Sequence, residues 1–186
     1  ADALIARNAG AFVKLDEASI LCNLDKDNCL ICMKYGDKIP ITEMHETLAH
    51  NGCNFSVGVA RLGLWGALYA NIGDDEVGKK LLIQLPKEGV SCEYIYVEKN
   101  KKSNRSIVLS YKAERTILVH REKHTYVLPK FKKSSWIYLT SLGTGFEKLH
   151  QLLLKYIKTN GFQLAFNPGD KQLRAGVKVL APILEA

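Results

Sequence analysis

Apolar residues between positions 51 and 72 change from a helical spacing to a continuous run. Phe55, Val59 and Leu62 recur at the spacing of one helix face, and Gly63 stands where a left-handed cap would end that helix. Residues 67–72 then form a short apolar run, which is typical of a strand buried on both faces. This stretch therefore predicts a helix followed by a buried strand.

A second helix is predicted directly after this strand. Gly73-Asp74-Asp75 turns the chain, and either aspartate can accept hydrogen bonds from the first N–H groups of a helix. Gly89 stands just past the predicted end of the helix. The apolar positions of this helix are Val77, Leu81, Leu82 and Leu85.

The middle of the chain carries an alternating pattern instead. Residues 93–97 alternate in the way that a half-exposed strand does. Residues 105–111 and 115–121 are predicted to be two strands, and the polar residues Lys112-Ala113-Glu114 between them are typical of a hairpin turn.

From residue 134 onward, predicted strands alternate with predicted helices. A buried strand is expected at 136–139, followed by a helix that ends at Asn160-Gly161 and by a strand at 162–166. Residues 172–184 are apolar enough to form a helix, which Pro182 interrupts. Strands that alternate with helices imply a parallel sheet with helices on both faces.

The composition is that of a globular protein of one domain. The 186 residues include 47% hydrophobic and 24% charged residues, which is enough for a sizeable core. No apolar run approaches the roughly 20 residues of a membrane helix, so we expect no membrane partner. Five unevenly spaced cysteines do not suggest a secreted disulfide scaffold, and we therefore expect a cytoplasmic protein.

The net charge of +7 is concentrated in two polar stretches. Solvated loops are the favoured interpretation, and a lid that attracts a phosphorylated sugar or a nucleotide is the alternative. Nucleic acid is the least favoured partner. The basic residues concerned are Lys99, Lys101, Lys102 and Arg105, and then Lys130, Lys132 and Lys133.

Three cysteines lie close together near the N-terminus. Cys29 and Cys32 have the spacing of a zinc site or a redox pair, and Cys22 precedes them. A structural zinc site needs four ligands, and no second Cys-x-x-Cys follows. We favour reduced thiols and predict no metal ligands, while metal binding by these cysteines stays open as an alternative.

Six short motifs occur in an order that resembles the PfkB/ribokinase family of carbohydrate kinases, which act on sugars or nucleosides. Each motif alone is weak, and the ordered set is specific. The resemblance covers residues from about Gly36 to the last one. The motifs are Asn51–Asn54, Ala60–Gly63, Gly73–Gly78, Lys87–Val90, Glu114–Ile117 and Phe166–Gly169.

The resemblance implies a ribokinase-like fold, which is a three-layer α/β/α sandwich with a parallel sheet and a small β-sheet lid. We expect one such domain over residues 1–186, incomplete at its C-terminal end, with lid segments at about 14–45 and 93–121. Because an exposed lid sheet has free edges, pairing of two copies is expected. Many relatives also dimerise through this sheet.

The resemblance also implies a substrate site in the loop that starts the first helix. The asparagine pair of the family maps onto Asn51 and Asn54, Gly52 lets the backbone approach a ligand, and His50 stands where the family has glycine. We therefore predict His50, Asn51, Gly52 and Asn54 as substrate-binding residues. From the residues alone, Asn51 and Asn54 could equally cap the helix. For His50, crowding of the pocket, contact with a substrate phosphate and simple surface exposure all stay open.

Two parts of the family pattern are missing. Residues 2–15 are expected to hold the first strand of the sheet, with a break at Asn8-Ala9-Gly10, and the sugar-binding aspartate of the family would fall on Gly10. The Gly-Ala-Gly-Asp motif, which supplies the catalytic base, and the Asn-x-x-Glu segment, which places magnesium, do not occur in the sequence. We therefore predict no catalytic residue in this chain, and we expect the catalytic residues and the sites for ATP and Mg²⁺ beyond Ala186.

The resulting hypothesis is ATP-dependent phosphoryl transfer to a hydroxymethyl group of a sugar or nucleoside, with this chain carrying the substrate and lid part. The alternative is a non-catalytic, degenerate relative that acts as a binding or dimerisation module.

Overall fold

The computed structural model describes residues 2–5, 9–16, 19–22, 29–132 and 135–186. The chain divides into two compact units, which we call the large unit and the small unit. The large unit consists of Ala1–Ala9, Leu48–Asn104 and Arg121–Ala186, and the small unit consists of Gly10–Thr47 and Arg105–His120.

The elements of the described residues are numbered in chain order. They are β1 (Asp2–Ile5), β2 (Ala9–Leu15), β3 (Ser19–Cys22), β4 (Cys29–Cys32), β5 (Ile41–Thr47), α1 (Asn51–Arg61), β6 (Gly66–Gly73), α2 (Glu76–Lys87), β7 (Val90–Glu98), β8 (Arg105–Tyr111), β9 (Glu114–His120), β10 (Trp136–Leu139), α3 (Phe146–Asn160), β11 (Gln163–Phe166), α4 (Asp170–Ala175) and α5 (Val177–Leu184).

The large unit is built on a five-stranded sheet with the order β11-β10-β1-β6-β7, and every neighbouring pair is parallel. All eight residues of β6 are buried, as the continuous apolar run predicts. The predicted helix caps are also confirmed, because Gly63 and Gly89 both have positive φ and Asp75 is the N-cap of α2.

Helices cover both faces of this sheet. Leu68, Ala70 and Ile72 of β6 pack in one core cluster with residues of α1 and α2. Ala67 and Tyr69 point to the opposite cluster, which α3 and α5 complete. Side chains of a strand alternate between faces, so one buried strand supplies both cores. The predicted three-layer arrangement is therefore present in the large unit.

The small unit contains a four-stranded sheet with the order β5-β2-β8-β9 and a separate β3–β4 pair. β2 pairs with β5 and β8 pairs with β9, both antiparallel. The predicted hairpin is confirmed, and Lys112 and Ala113 occupy its turn with positive φ angles of 47° and 66°. Every residue of β5 and β9 is exposed in this structure.

Two assignments in the predicted lid segments are wrong. Residues 93–97 belong to β7, which pairs with β6 at the edge of the parallel sheet. An edge strand of a buried sheet alternates in the same way as a lid strand, so the pattern alone could not separate them. Residues 2–5 and 9–15 form two strands, and the second, β2, already belongs to the small sheet, before the predicted lid boundary at about 14.

The last predicted helix is broken at a different residue. α4 and α5 are separated at Gly176, which has a φ of 84°, whereas Pro182 lies inside α5. A positive φ ends a helix, whereas a proline near the end of a short helix removes only one internal hydrogen bond. Leu180 and Ile183 are buried and hold α5 against the core.

Candidate functional site

The N-terminus of α1 lies at the carboxyl edge of the parallel sheet. Asn51 Nδ2 donates a hydrogen bond of 3.3 Å to Oγ1 of Thr140, the buried residue that directly follows β10. Because ligands of open α/β sheets bind beyond the carboxyl ends of the strands, Asn51 stands in the region where a substrate is expected. Thr140 was not predicted, since nothing near it in the sequence marks it.

A second set of contacts lies next to β11. We call Asn51, Thr140, Tyr138 and Asn167 together the polar row. The ring of Phe55 stacks on Tyr138, with centroids 4.1 Å apart and planes 3° from parallel. The hydroxyl of Tyr138 accepts a hydrogen bond of 3.0 Å from Nδ2 of Asn167, the residue after β11. The side chain of Asn167 therefore links the ends of two strands at the same edge.

The four predicted site residues do not share one environment. Gly52 is buried, Asn51 and Asn54 are exposed, and His50 is half-buried. His50 is the N-cap of α1, and no side chain caps this helix. Asn51 contacts Thr140 instead, so the capping alternative does not describe its side chain. Contact of these residues with a substrate stays a prediction.

His50 has a backbone conformation that is almost restricted to glycine. Its φ is 91° and its ψ is 153°. An L-residue in this region is strained by about 1–3 kcal/mol, and such strain concentrates at functional sites. His50 therefore holds the start of the predicted substrate loop in a strained conformation, at a position where the resemblance expects glycine.

His50→Gly is expected to stabilise the protein by about 1 kcal/mol. The change relieves the strain, and the greater freedom of glycine in the unfolded chain offsets part of that gain. His50→Ala keeps the Cβ atom and should show no such gain. Urea unfolding of the three proteins measures the difference, and equal stability of the Gly and Ala variants would contradict the assigned strain.

The predicted Asp74-Asp75 pair anchors the loop after β7 and does not form a ligand site. Asp75 Oδ1 accepts hydrogen bonds from Gly78 N (3.1 Å) and Ser103 Oγ (2.6 Å), and Oδ2 accepts one from Ser103 N (3.1 Å). Burial alone would raise the pKa of Asp75, but the hydrogen bonds from Ser103 and Gly78 outweigh it and lower the pKa. Asp74 Oδ2 accepts a hydrogen bond from Asn100 N.

Residues Gly73–Lys79 also match the start of a phosphate-binding loop, Gly-x-x-x-x-Gly-Lys, although Lys80 replaces the Ser or Thr that should follow. The structure does not support that role. The N–H of Gly73 donates to Ser103 Oγ at 3.0 Å, and the N–H of Gly78 donates to Asp75. Two of the N–H groups that a phosphate would need are therefore already bound.

A buried polar pair supports the loop that carries Thr140. Gln172 Oε1 accepts hydrogen bonds from Gly169 N (2.8 Å) and Leu142 N (3.4 Å), so its amide nitrogen faces Nε2 of His150 at 3.2 Å. His150 Nε2 must then be the acceptor, which leaves the ring proton on Nδ1. Burial lowers the pKa of His150 to about 4, so the ring is neutral at physiological pH.

The cysteines do not form a metal site within the described residues. Cys29 is disulfide-bonded, so the favoured interpretation of reduced thiols is wrong for this residue, whereas Cys32, Cys53 and Cys92 are not part of a disulfide. The side chain of Cys22 lies outside the described part of the structure. Burial raises the pKa of Cys53 to about 12, so this thiol is protonated. Across the ranges that the structure describes, no three His, Cys, Asp or Glu residues are grouped to hold a metal ion.

Within the same ranges, none of the helices is both long enough and apolar enough to cross a lipid bilayer.

The family of the chain follows from comparison with known proteins. The sequence model of the pfkB family of carbohydrate kinases matches residues 11–175. This chain belongs to the pfkB family. The match includes the whole predicted substrate loop and the polar row from Asn51 to Asn167.

One curated relative of the pfkB chain is an uncharacterized sugar kinase of Archaeoglobus fulgidus. The two are 26% identical over 137 residues, which is 69% of this chain and 54% of the relative. The chain therefore spans about half the length of the curated relative that it matches.

Solved structures confirm the ribokinase-like fold. The nucleoside kinase of Burkholderia thailandensis in complex with inosine is 13% identical and aligns over 100% of this chain and 57% of its own, with a TM-score of 0.72. An uncharacterized sugar kinase of Pyrococcus horikoshii in complex with ATP is 19% identical and aligns over 98% of this chain and 59% of its own, with a TM-score of 0.69. At these identities the likeness concerns the fold.

Proposed function

We propose that the protein takes part in ATP-dependent phosphoryl transfer to a hydroxymethyl group of a sugar or nucleoside, and that this chain carries the substrate-binding part. One observation supports the proposal most directly. The side chain of Asn51, in the substrate loop of a pfkB chain, is held at the carboxyl edge of the sheet by its hydrogen bond to Thr140.

The geometry suits a ligand rich in hydroxyl groups. The amide of Asn51 donates one N–H to Thr140, and its oxygen and its second N–H can bind a ligand. Asn54 follows one helical turn later and is exposed. Two asparagine amides on the first turn of one helix can bind neighbouring hydroxyl groups of a sugar, each as donor and as acceptor.

ATP and Mg²⁺ are the cofactors that this function requires. Within the described residues, no three His, Cys, Asp or Glu side chains are grouped, and Mg²⁺ is usually held by one or two carboxylates together with the phosphates of the nucleotide. We therefore assign no residue of the described chain to the nucleotide or the metal. The contribution that we propose for this chain is to bind and orient the acceptor hydroxyl, which lowers the entropic part of the barrier.

The function is tested by titrating the protein with a panel of neutral sugars, acidic sugars and nucleosides, and by measuring ADP release in the presence of Mg·ATP. Saturable binding of a sugar or nucleoside supports the proposed substrate-binding part, and binding of none of them would contradict it. ADP release by this chain alone would contradict the prediction that it holds no catalytic residue.

We further propose that two copies pair through the sheet of the small unit. β9 is an edge strand, and apolar side chains on β8 and β9 are 42–51% exposed, namely Ile107, Ile117, Leu118 and Val119. An exposed edge with apolar neighbours is a template for pairing with a second chain.

Leu118→Lys is expected to convert a dimer into a monomer, because it places a charge on this apolar edge strand. Sedimentation velocity over a range of concentrations measures the change. Ile83→Lys, at an exposed position on α2 in the large unit, is the matched control and should leave the dimer intact. A wild-type protein that stays monomeric at high concentration would contradict the pairing.

A further inference from the structure

The buried side chain of Gln172 connects the two loops that carry Thr140 and Asn167 of the polar row. Gln172 lies in the first turn of α4 and is 0% exposed. It contacts the loop after β10, the turn after β11 and one residue of α3, and all of these parts belong to the large unit. A single side chain therefore fixes these parts of the carboxyl edge relative to one another.

The amide of Gln172 uses all of its hydrogen-bonding groups. Its Oε1 accepts from Gly169 N at 2.8 Å and from Leu142 N at 3.4 Å. Its Nε2 donates to the carbonyl oxygen of Thr140 at 3.4 Å and to Nε2 of His150 at 3.2 Å. Because two backbone N–H groups can donate only to the oxygen, the amide has a single orientation. A buried polar group with every bond made favours one arrangement of its neighbours.

The same two loops are packed against each other without free space. A Cβ atom at Gly169 would lie 2.7 Å from the Cβ atom of Ser141 and still closer to its Oγ. Ser141 stands between the two residues of the loop after β10 that Gln172 contacts. Further along this loop, Oγ1 of Thr144 accepts a hydrogen bond of 2.6 Å from Nζ of Lys171. The position of the loop after β10 is therefore set by α4 and by the residue before it.

Thr140 connects Gln172 to the predicted substrate loop. Thr140 is fully buried, its carbonyl oxygen accepts from Gln172, and its Oγ1 accepts from Nδ2 of Asn51 at 3.3 Å. Because threonine is branched at Cβ and has few rotamers, the place of its hydroxyl follows the place of its backbone. The bond from Gln172 to the carbonyl therefore also fixes the hydroxyl to which the amide of Asn51 is attached.

His150 determines where the second N–H of Gln172 points. The ring of His150 lies between those of Phe146 and Phe166, with centroid separations of 5.0 and 5.6 Å. This enclosed ring offers Nε2 to Gln172 as an acceptor in a fixed place. His150 thus helps to orient the amide of Gln172.

We propose that Gln172 is a positioning residue for substrate binding, which acts through Thr140 to orient the amide of Asn51. This inference rests on the proposed function. Gln172 is fully buried and need not touch the substrate for this role. Without its bond to Thr140, the amide of Asn51 would still be present but no longer held in the orientation that binds hydroxyl groups. The expected consequence is a loss of substrate affinity in a folded protein.

Gln172→Glu tests this role with little change in volume. A carboxylate can still accept from Gly169 N and Leu142 N, but when ionised it cannot donate to the carbonyl oxygen of Thr140. Gln172→Asn, which is shorter by one CH₂ group, takes its place if the Glu variant does not fold. Leu85→Ala is the control for a general loss of stability, because Leu85 is buried near the end of α2 that leads to the amino edge of the sheet. Circular dichroism verifies that each variant is folded.

The first measurement needs no ligand. The side-chain N–H₂ signals of Asn51 in a ¹H–¹⁵N NMR spectrum are identified by their loss in Asn51→Ala. In Gln172→Glu we expect these signals to shift in the same direction as in Thr140→Val, which removes the hydroxyl acceptor of Asn51. In Leu85→Ala they should keep their wild-type positions. Unchanged Asn51 signals in Gln172→Glu would overturn the proposal.

The second measurement is a double-mutant cycle by isothermal titration calorimetry with D-ribose and inosine. We expect Gln172→Glu to raise the dissociation constant about fivefold, as for the loss of one hydrogen bond to a ligand. In the Asn51→Ala background the same change should cause no further loss, because Gln172 acts through Asn51. Leu85→Ala should bind like the wild type. Equal losses in the two backgrounds would show that Gln172 does not act through Asn51.

The two measurements separate this inference from the proposed function. Sugar binding by the wild type that Gln172→Glu leaves unchanged would overturn the positioning role and leave the proposed function intact. Asn51 signals that shift in Gln172→Glu, in a protein that binds no sugar or nucleoside, would contradict the proposed function while supporting the control of Asn51 by Gln172.

Discussion

Gly73→Ala is expected to destabilise the protein by about 3 kcal/mol or more. A Cβ atom at this position would lie 2.7 Å from the carbonyl carbons of Lys101 and Lys102, and still closer to the carbonyl oxygen of Lys101. These are backbone atoms, so no side-chain rotation can relieve the overlap. The loop that Asp75 and Ser103 fix would have to move, with loss of their hydrogen bonds.

Gly58→Ala is the matched control for this variant. Gly58 lies within α1, and a Cβ atom added there would meet nothing within 4 Å. Because alanine favours a helix over glycine by about 1 kcal/mol, this variant should be slightly stabilised. Urea unfolding midpoints measure both changes. Equal midpoints for the two variants would contradict the close approach of the loop to Gly73.

The second large effect is a loss of stability in mild acid, which we assign to His150. This side chain is 5% exposed and packs between the rings of Phe146 and Phe166. Its pKa is lowered to about 4 in the folded protein, against about 6.5 in the unfolded chain. Between these two pH values the unfolded chain binds the additional proton, so folding becomes less favourable as the pH falls.

The expected loss from this one residue is about 3 kcal/mol between pH 8 and pH 4. The free energy of unfolding should be measured at half-unit intervals over that range. His150→Gln removes the titrating group, so its stability should fall less between pH 6.5 and pH 4 than that of the wild type. His45→Gln, at an exposed histidine of the small unit, should retain the wild-type slope. A wild-type slope in the His150 variant would contradict the assignment.

The local signals in the sequence were sufficient for most of the fold. The run from Ala67 to Ile72 is typical of a buried strand, and Gly63 and Gly89 marked helix ends because glycine is the usual residue at the left-handed position after a helix. The edge strand β7 was misassigned because its partner, β6, determines its place, and a strand pairing is not a local property. Similarly, the pattern could not show that Gly176 and not Pro182 ends a helix.

The candidate site was only partly predictable. The resemblance pointed to Asn51, but its partner Thr140 is 89 positions away in the chain, and only the folded sheet brings the two together. Long-range partners of this kind are set by topology and cannot be read from spacing.

The central claim is that Asn51 binds the hydroxyl groups of a sugar or nucleoside substrate. The most direct measurement is calorimetric titration of the wild type, Asn51→Ala and Asn160→Ala with D-ribose and with inosine. Asn160 is an exposed asparagine at the far end of α3, and its change should not affect binding. We predict a dissociation constant at least about tenfold higher for Asn51→Ala, as expected for the loss of hydrogen bonds to a ligand. Equal affinities of all three proteins for both ligands would contradict the claim.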